Sequence, residues 1–156
     1  MIKGIKIIIF FTVLLSHISN LNAEITNKII ISVGKKIITK YDISKEEKHL
    51  NFLSLGQFSK LDEKERIEIA KTNLIRDRIK ENELNTYSKI TISDDKLNYY
   101  IKQSMDSMGF VSKEQFIKKL SEYDLTYEDY ISKLNLEIKW NELVSNLYIR
   151  LVSVDP

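Results

Sequence analysis

The sequence predicts a mainly α-helical domain of about five helices that begins with a short β-hairpin. Three observations support this fold class. Five predicted helix starts along the chain have nearly the same residue pattern. One proline and four glycines leave little room for long loops or for a β-rich fold. Two short apolar runs flank a glycine near the N-terminus, as expected for two strands and a turn.

The hairpin is predicted in the segment KIIISVGKKIITKYDI, with strands at Lys28–Val33 and Lys36–Thr39. Gly34 and Lys35 form the turn, since glycine takes the positive φ of a type II′ turn without strain. A lone two-stranded hairpin is marginal in water and needs a third strand or a helical cover. The tail RLVSV, from Arg150, has the composition of a short strand that could return to the hairpin.

Four helix starts share a pattern of an apolar residue, a Ser or Thr, three mostly polar residues and another apolar residue. They are ITKYDI from Ile38, ISDDKL from Ile92, VSKEQF from Val111 and LTYEDY from Leu125. The hydroxyl caps a free backbone N–H, and the flanking apolar pair forms a hydrophobic staple. Gln115 is expected to complete a capping box with Ser112. In the fifth start, LDEKER, Asp62 is the cap and Glu65 its reciprocal partner.

These starts give a map of five helices, with Gly109 as the left-handed residue that ends the third. The predicted helices are Tyr41–Ser54, Glu63–Thr86, Asp94–Met108, Lys113–Glu122 and Tyr127–Tyr148.

Residues 1–23 have the three-part layout of a secretory signal peptide. A basic start, MIKGIK, precedes the apolar run IIIFFTVLL, and the segment ends in Ala23. The apolar run is shorter than the roughly 20 residues of a transmembrane helix. We predict cleavage between Ala23 and Glu24, which leaves 24–156 as one domain without stable membrane insertion. An uncleaved N-terminal anchor is the alternative.

The charge balance argues against a nucleic-acid partner. The whole chain has 24 Lys and Arg against 22 Asp and Glu. Without Lys3 and Lys6 of the signal segment, the 22 remaining basic residues equal the 22 acids. Nucleic-acid binding needs a basic surplus on one face. The chain has no cysteine, so packing alone must stabilise the fold.

The sequence predicts no catalytic, metal or cofactor site. His49 is the only histidine after the signal segment, and a structural zinc site needs several His or Cys ligands. No local motif supports a Ser–His–acid triad around His49, so an exposed or half-buried structural histidine is expected. Asp94 and Asp95 are read as first-turn acids at a helix N-terminus rather than as paired catalytic carboxylates.

Apolar residues in the second half of the chain are candidates for peptide binding. Met105, Met108 and Phe110 lie around the end of the third helix, with Tyr99 earlier in that helix and Trp140 in the fifth. Core packing is the simpler role for most of them. The alternative is an adaptable groove, because methionine is flexible and polarizable and suits surfaces that accept many sequences.

The order of these segments resembles the N-terminal domain of SurA-type periplasmic chaperones. The resemblance covers the hairpin, then LIRDRI, then KITISDDKLNYYI, then FVSKEQFIKKLSEYDLTYEDYISKLNLEI. Its most specific part is the three consecutive starts ISDDKL, VSKEQF and LTYEDY with their spacing. Related domains occur in other exported parvulin-type prolyl isomerases.

The resemblance implies a soluble periplasmic protein that binds unfolded outer-membrane β-barrel proteins without ATP and without a cofactor. Partners would be extended, aromatic-rich chain segments. In the family, the hairpin pairs with a strand from a C-terminal segment of the same protein.

Typical members of the family continue into one or two parvulin domains, whose catalytic residues have no counterpart in this chain. Isomerase activity is therefore not carried over from the resemblance. The expectation is a stand-alone chaperone domain, and the alternative is the N-terminal segment of a longer peptidyl-prolyl isomerase. A helical protein with a structural or anchoring role and no client is the third reading.

Overall fold

The computed structural model describes residues 28–87 and 90–152, with side chains up to residue 147. The predicted signal segment and its cleavage site at Ala23 and Glu24 lie outside the described residues. The mainly helical fold with an N-terminal hairpin is confirmed. Its elements are β1 (Ile29–Val33), β2 (Lys36–Thr39), α1 (Lys40–Leu53), a 3-10 turn (Phe58–Lys60), α2 (Glu63–Thr86), α3 (Asp94–Ser107), α4 (Lys113–Ser121) and α5 (Tyr127–Val152).

The hairpin is antiparallel and pairs Ser32 with Ile37 and Val33 with Lys36 around the predicted turn. Gly34 has a φ of 58°, the positive value for which glycine was expected there. One face of the hairpin is buried at Ile38, which packs in a cluster with Ile43, Ala70 and Leu74. Helices α1 and α2 therefore supply the cover that the two strands need.

The predicted third strand is wrong for Arg150–Val152, which continue helix α5. The described part of the chain contains one sheet of two strands. The leucines at 143, 147 and 151 keep a four-residue spacing, so the apolar period of the helix runs into the segment that was read as a strand. Local helical periodicity outweighs the β propensity of two valines.

All five predicted cap residues accept a hydrogen bond from a backbone N–H in the first turn. They are Thr39, Asp62, Ser93, Ser112 and Thr126. The reciprocal bond of a capping box forms in the described residues between Thr39 and Asp42 and between Thr126 and Asp129. The boxes predicted with Gln115 and Glu65 were wrong, since there only the cap oxygen is engaged.

The staple predicted at the start of α4 was also wrong. Phe116 is fully buried, but Val111 is 86% exposed, so the two side chains do not share a buried site. The equivalent pair at the start of α5, Leu125 and Tyr130, is buried as predicted.

A second apolar core joins the end of α1 to α4 and α5. Its fully buried members are Phe52, Phe116 and Leu120, completed by Leu125 and Tyr130. The aromatic rings meet edge to face, with centroids of Phe116 and Tyr130 4.9 Å apart. This core fixes the short helix α4 against the rest of the domain.

Candidate functional site

Three of the five predicted peptide-binding residues lie together at the end of α3. Met105, Met108 and Phe110 are half-buried and pack against the Phe52–Phe116 core. Gly109, with a φ of 80°, ends the helix as predicted. The N–H of Phe110 donates to the carbonyl of Met105 at 2.9 Å, and that of Gly109 to Asp106 at 3.0 Å, the two bonds of a Schellman motif. The backbone geometry therefore holds this turn in a fixed conformation.

The other two predicted residues lie elsewhere. Tyr99 is 62% exposed and contacts the ring of Tyr100 at a centroid distance of 5.5 Å. It precedes Met108 by nine residues, or two and a half helical turns at about 100° per residue, and so faces the opposite side of α3. Trp140 is half-buried on α5, ten residues beyond Tyr130 and therefore about 15 Å farther along the helix. The five residues do not form one surface.

The sequence-based selection missed Val111, the most exposed large apolar residue among those described. Its neighbours on the chain are the half-buried Phe110 and the cap residue Ser112. We call Met108, Phe110 and Val111 the turn surface. The apolar residue before the cap was interpreted as half of a staple, which concealed its exposure.

Further exposed apolar residues lie on the hairpin and at the start of α1. They are Ile29, Ile30, Ile37 and Tyr41. Helices α1 and α2 therefore cover only one face of the hairpin.

A buried ionic cluster connects α1, α2 and α5. Glu46 is 3% exposed and Asp77 is also buried, and the Lys133 ammonium lies between their carboxylates, 2.5 Å from Asp77 Oδ2. Asn73 donates a long hydrogen bond of 3.5 Å to the second oxygen of Glu46. The three charged residues are far apart in the chain and resemble surface charges in the sequence, so sequence patterns gave no signal for the cluster.

Burial and nearby charges act in opposite directions on the pKa of Lys133. Burial tends to lower the pKa of its ammonium, but the nearby carboxylates of Glu46 and Asp77 outweigh that effect and raise the pKa above the ordinary value. The cation is therefore retained at neutral pH. Its single positive charge partly compensates two carboxylates whose burial would be more costly without it.

His49 belongs to the same region and is buried, not exposed or half-buried as the sequence suggested. Its place follows from the buried stripe of α1, where every third residue from Ile43 to Phe52 faces inward. Burial, together with the nearby Lys133 ammonium, lowers the pKa of the imidazole to about 4. His49 is therefore neutral at neutral pH. The centroid of its ring lies 6.0 Å from the centroid of the Tyr130 ring.

Two open cavities flank the ionic cluster, with volumes of about 210 and 330 Å³. Glu46, His49, Asp77 and Lys133 line both. The larger one is also lined by Leu50, Leu53 and Leu134.

Within residues 28–87 and 90–152, no group of three or more His, Cys, Asp or Glu residues is placed to hold a metal ion. Over the same ranges, no helix combines the length and the apolar character that crossing a membrane requires. Asp94 and Asp95 are exposed in the first turn of α3 behind the Ser93 cap. No protein-family model, curated protein or solved structure matches the chain.

Proposed function

We propose that this chain is an exported, ATP-independent chaperone domain that binds extended, aromatic-rich segments of unfolded outer-membrane proteins. The resemblance of its segments to SurA-type N-terminal domains supports this proposal. The observation that carries it is the turn surface, where a valine that is 86% exposed adjoins half-buried Met108 and Phe110. Contiguous apolar surface marks many interaction sites, and these three neighbouring residues offer one exposed and two partly exposed side chains to a partner.

The turn surface combines a fixed backbone with adaptable side chains. The Schellman bonds at Gly109 hold the turn, so little backbone entropy is lost on binding. Met108 can change rotamer to fit different partners. Val111 offers most of its side chain to a client without first leaving a packed site.

Weak contacts at this surface would let clients leave without ATP. Full burial of one apolar side chain gains about 1.5–3 kcal/mol, so contact at a few such residues stays weak and reversible. The hairpin face at Ile29, Ile30 and Ile37 would add a second weak contact for a long client chain. Several weak contacts on one flexible client raise its retention without any tight site.

Charge is not expected to carry recognition. Residues 24–156 have balanced charge, and many described cations pair within the protein, as Lys119 does with Glu122 at 2.7 Å. Exposed ion pairs contribute about 0–1 kcal/mol and are screened by salt.

Titration of an aromatic-rich peptide at low and high salt tests the proposal. We expect an affinity that changes little with salt, because burial of apolar area carries binding. A steep loss of affinity with salt would mean that charge carries recognition, and the proposal would be dropped. No detectable binding at either salt concentration would favour the helical protein without a client.

Two further observations test whether the chain belongs to a longer isomerase and whether its signal segment is removed. An in-frame parvulin domain beyond Pro156 would favour the N-terminal segment of a peptidyl-prolyl isomerase. Mass spectrometry of the exported protein should find Glu24 at its N-terminus, and retained Met1 would contradict the signal peptide.

A further inference from the structure

The joint between α1, α2 and α5 contains a neutral histidine in the midst of buried charges. His49 is 8% exposed and contacts the Tyr130 ring, and it lines both cavities together with Lys133. Among the titratable groups that line these cavities with it, the charges of Asp77 on α2 and of Asp129 and Lys133 on α5 act on its imidazole. Lys45 and Glu46 on α1 pair with Asp129 and Lys133, and Tyr130 on α5 lies near its ring.

These groups are already paired with one another. Lys133 bridges Glu46 and Asp77, and Lys45 pairs with Asp129 at 2.5 Å. The hydroxyl of Tyr130 is hydrogen-bonded to Ser104 on α3. A proton added to His49 would therefore place a second buried cation beside the Lys133 ammonium and would compete for the same carboxylates.

We propose that His49 makes this joint acid-sensitive: protonation of its imidazole favours an opened state in which α1 separates from α5. Water can reach the imidazole through the two cavities of about 210 and 330 Å³ that flank the cluster. Opening would expose the half-buried Leu50 and Leu134, which line the larger cavity beside the already exposed Leu53. The device is a property of the fold and is independent of the proposed client binding.

The direction of the effect follows from proton linkage. Burial and Lys133 hold the pKa of His49 at about 4 in the closed state, below the ordinary 6.5 of an exposed histidine. The closed state therefore binds fewer protons than the opened one, and its stability falls as pH falls from about 6.5 to about 4. With these two values, the equilibrium constant for closing should drop about 30-fold between pH 8 and pH 5.

The experiment compares the wild-type protein with the variant His49→Gln at pH 8 and pH 5. Urea unfolding measures the folding constant, which has the same pH dependence because the unfolded chain also exposes the imidazole. An apolar fluorescent dye added without urea reports the opened state itself. The variant keeps all surrounding carboxylates, so acid sensitivity that belongs to them persists in it. We expect the wild type to lose about 30-fold in its folding constant and to bind more dye at pH 5, with a much smaller change in the variant.

A second measurement keeps the proposal testable if the variant does not fold. NMR titration of the His49 imidazole in the wild type should show a pKa well below that of a free histidine. An ordinary histidine titration without loss of stability would overturn the proposal. Equal loss of stability between pH 8 and pH 5 in wild type and variant would overturn it as well.

Discussion

At the scale of single residues, the clearest local strain lies at Leu55, directly after α1. Its φ is 51°, in the left-handed region, and its side chain is 61% exposed. A residue with a Cβ pays about 1–2 kcal/mol in this conformation, and glycine does not. The exposed leucine side chain gains little from packing that could offset this cost.

We therefore predict that Leu55→Gly raises the free energy of unfolding by about 0.5–1 kcal/mol, after the entropic cost of glycine in the unfolded chain. Urea denaturation measures the change. The matched control is Leu53→Gly, which alters an exposed leucine at the end of α1 and should cost about 1 kcal/mol. If both changes destabilise the protein equally, the strain at Leu55 is not real.

The sequence predicted some residues well because their roles depend only on local geometry. Gly109 was expected as a left-handed helix end, and its φ of 80° agrees. His49 was misjudged because its environment is built by α2 and α5, which are distant in the chain. A polar residue on a helix gives no local signal of burial.

At the scale of secondary-structure elements, Lys133 joins α5 to both α1 and α2 through two buried carboxylates. Removing it would leave Glu46 and Asp77 buried without a compensating charge. Uncompensated buried charges are strongly destabilising, although a buried ion pair contributes little compared with apolar packing.

We predict that Lys133→Met lowers the free energy of unfolding by about 3–5 kcal/mol. The matched control is Lys80→Met, which removes an ion pair between α2 and α5 whose partner, Glu137, is half exposed. That change should cost no more than about 1 kcal/mol. Thermal or urea unfolding measures both.

A triple variant distinguishes the loss of charge compensation from the loss of the lysine side chain's packing. It carries Glu46→Leu, Asp77→Leu and Lys133→Met. It removes all three charges together and should recover most of the lost stability, because apolar replacement of a buried ion cluster is often neutral or stabilising. Equal effects of Lys133→Met and Lys80→Met would contradict the role of Lys133 as a link.

Helix starts were the elements that the sequence predicted best. The five caps depend on a few adjacent residues, so their pattern is visible without knowledge of the fold. The staple predicted at Val111 was wrong because the valine side chain would need a buried site formed by other elements, and it is 86% exposed. The strand predicted at Arg150 failed because the helical period of α5 continues through that segment.

At the scale of the whole molecule, fold class and helix order could be predicted from the sequence, but the surface could not. Periodicity shows which helical face is apolar and says little about which apolar residues remain uncovered. Met105 lies against a core, whereas Val111, six residues later, is 86% exposed. Deciding between them requires the packing of α4 against α1 and α5.

The central claim is that the turn surface binds unfolded chains, and delayed aggregation tests it most directly. A urea-denatured outer-membrane β-barrel protein is diluted into buffer, and light scattering is followed with wild type, Val111→Ser or Ile79→Ser. Ile79 is a partly exposed aliphatic residue on α2 and serves as the matched control. Both variants should fold like the wild type, since neither side chain is buried.

We predict that the wild type and Ile79→Ser delay aggregation at near-stoichiometric ratios. Val111→Ser should need a clearly higher ratio for the same delay, because the most exposed apolar contact is gone. Equal protection by Val111→Ser and wild type would contradict binding at the turn surface, and no protection by the wild type would contradict the chaperone function itself.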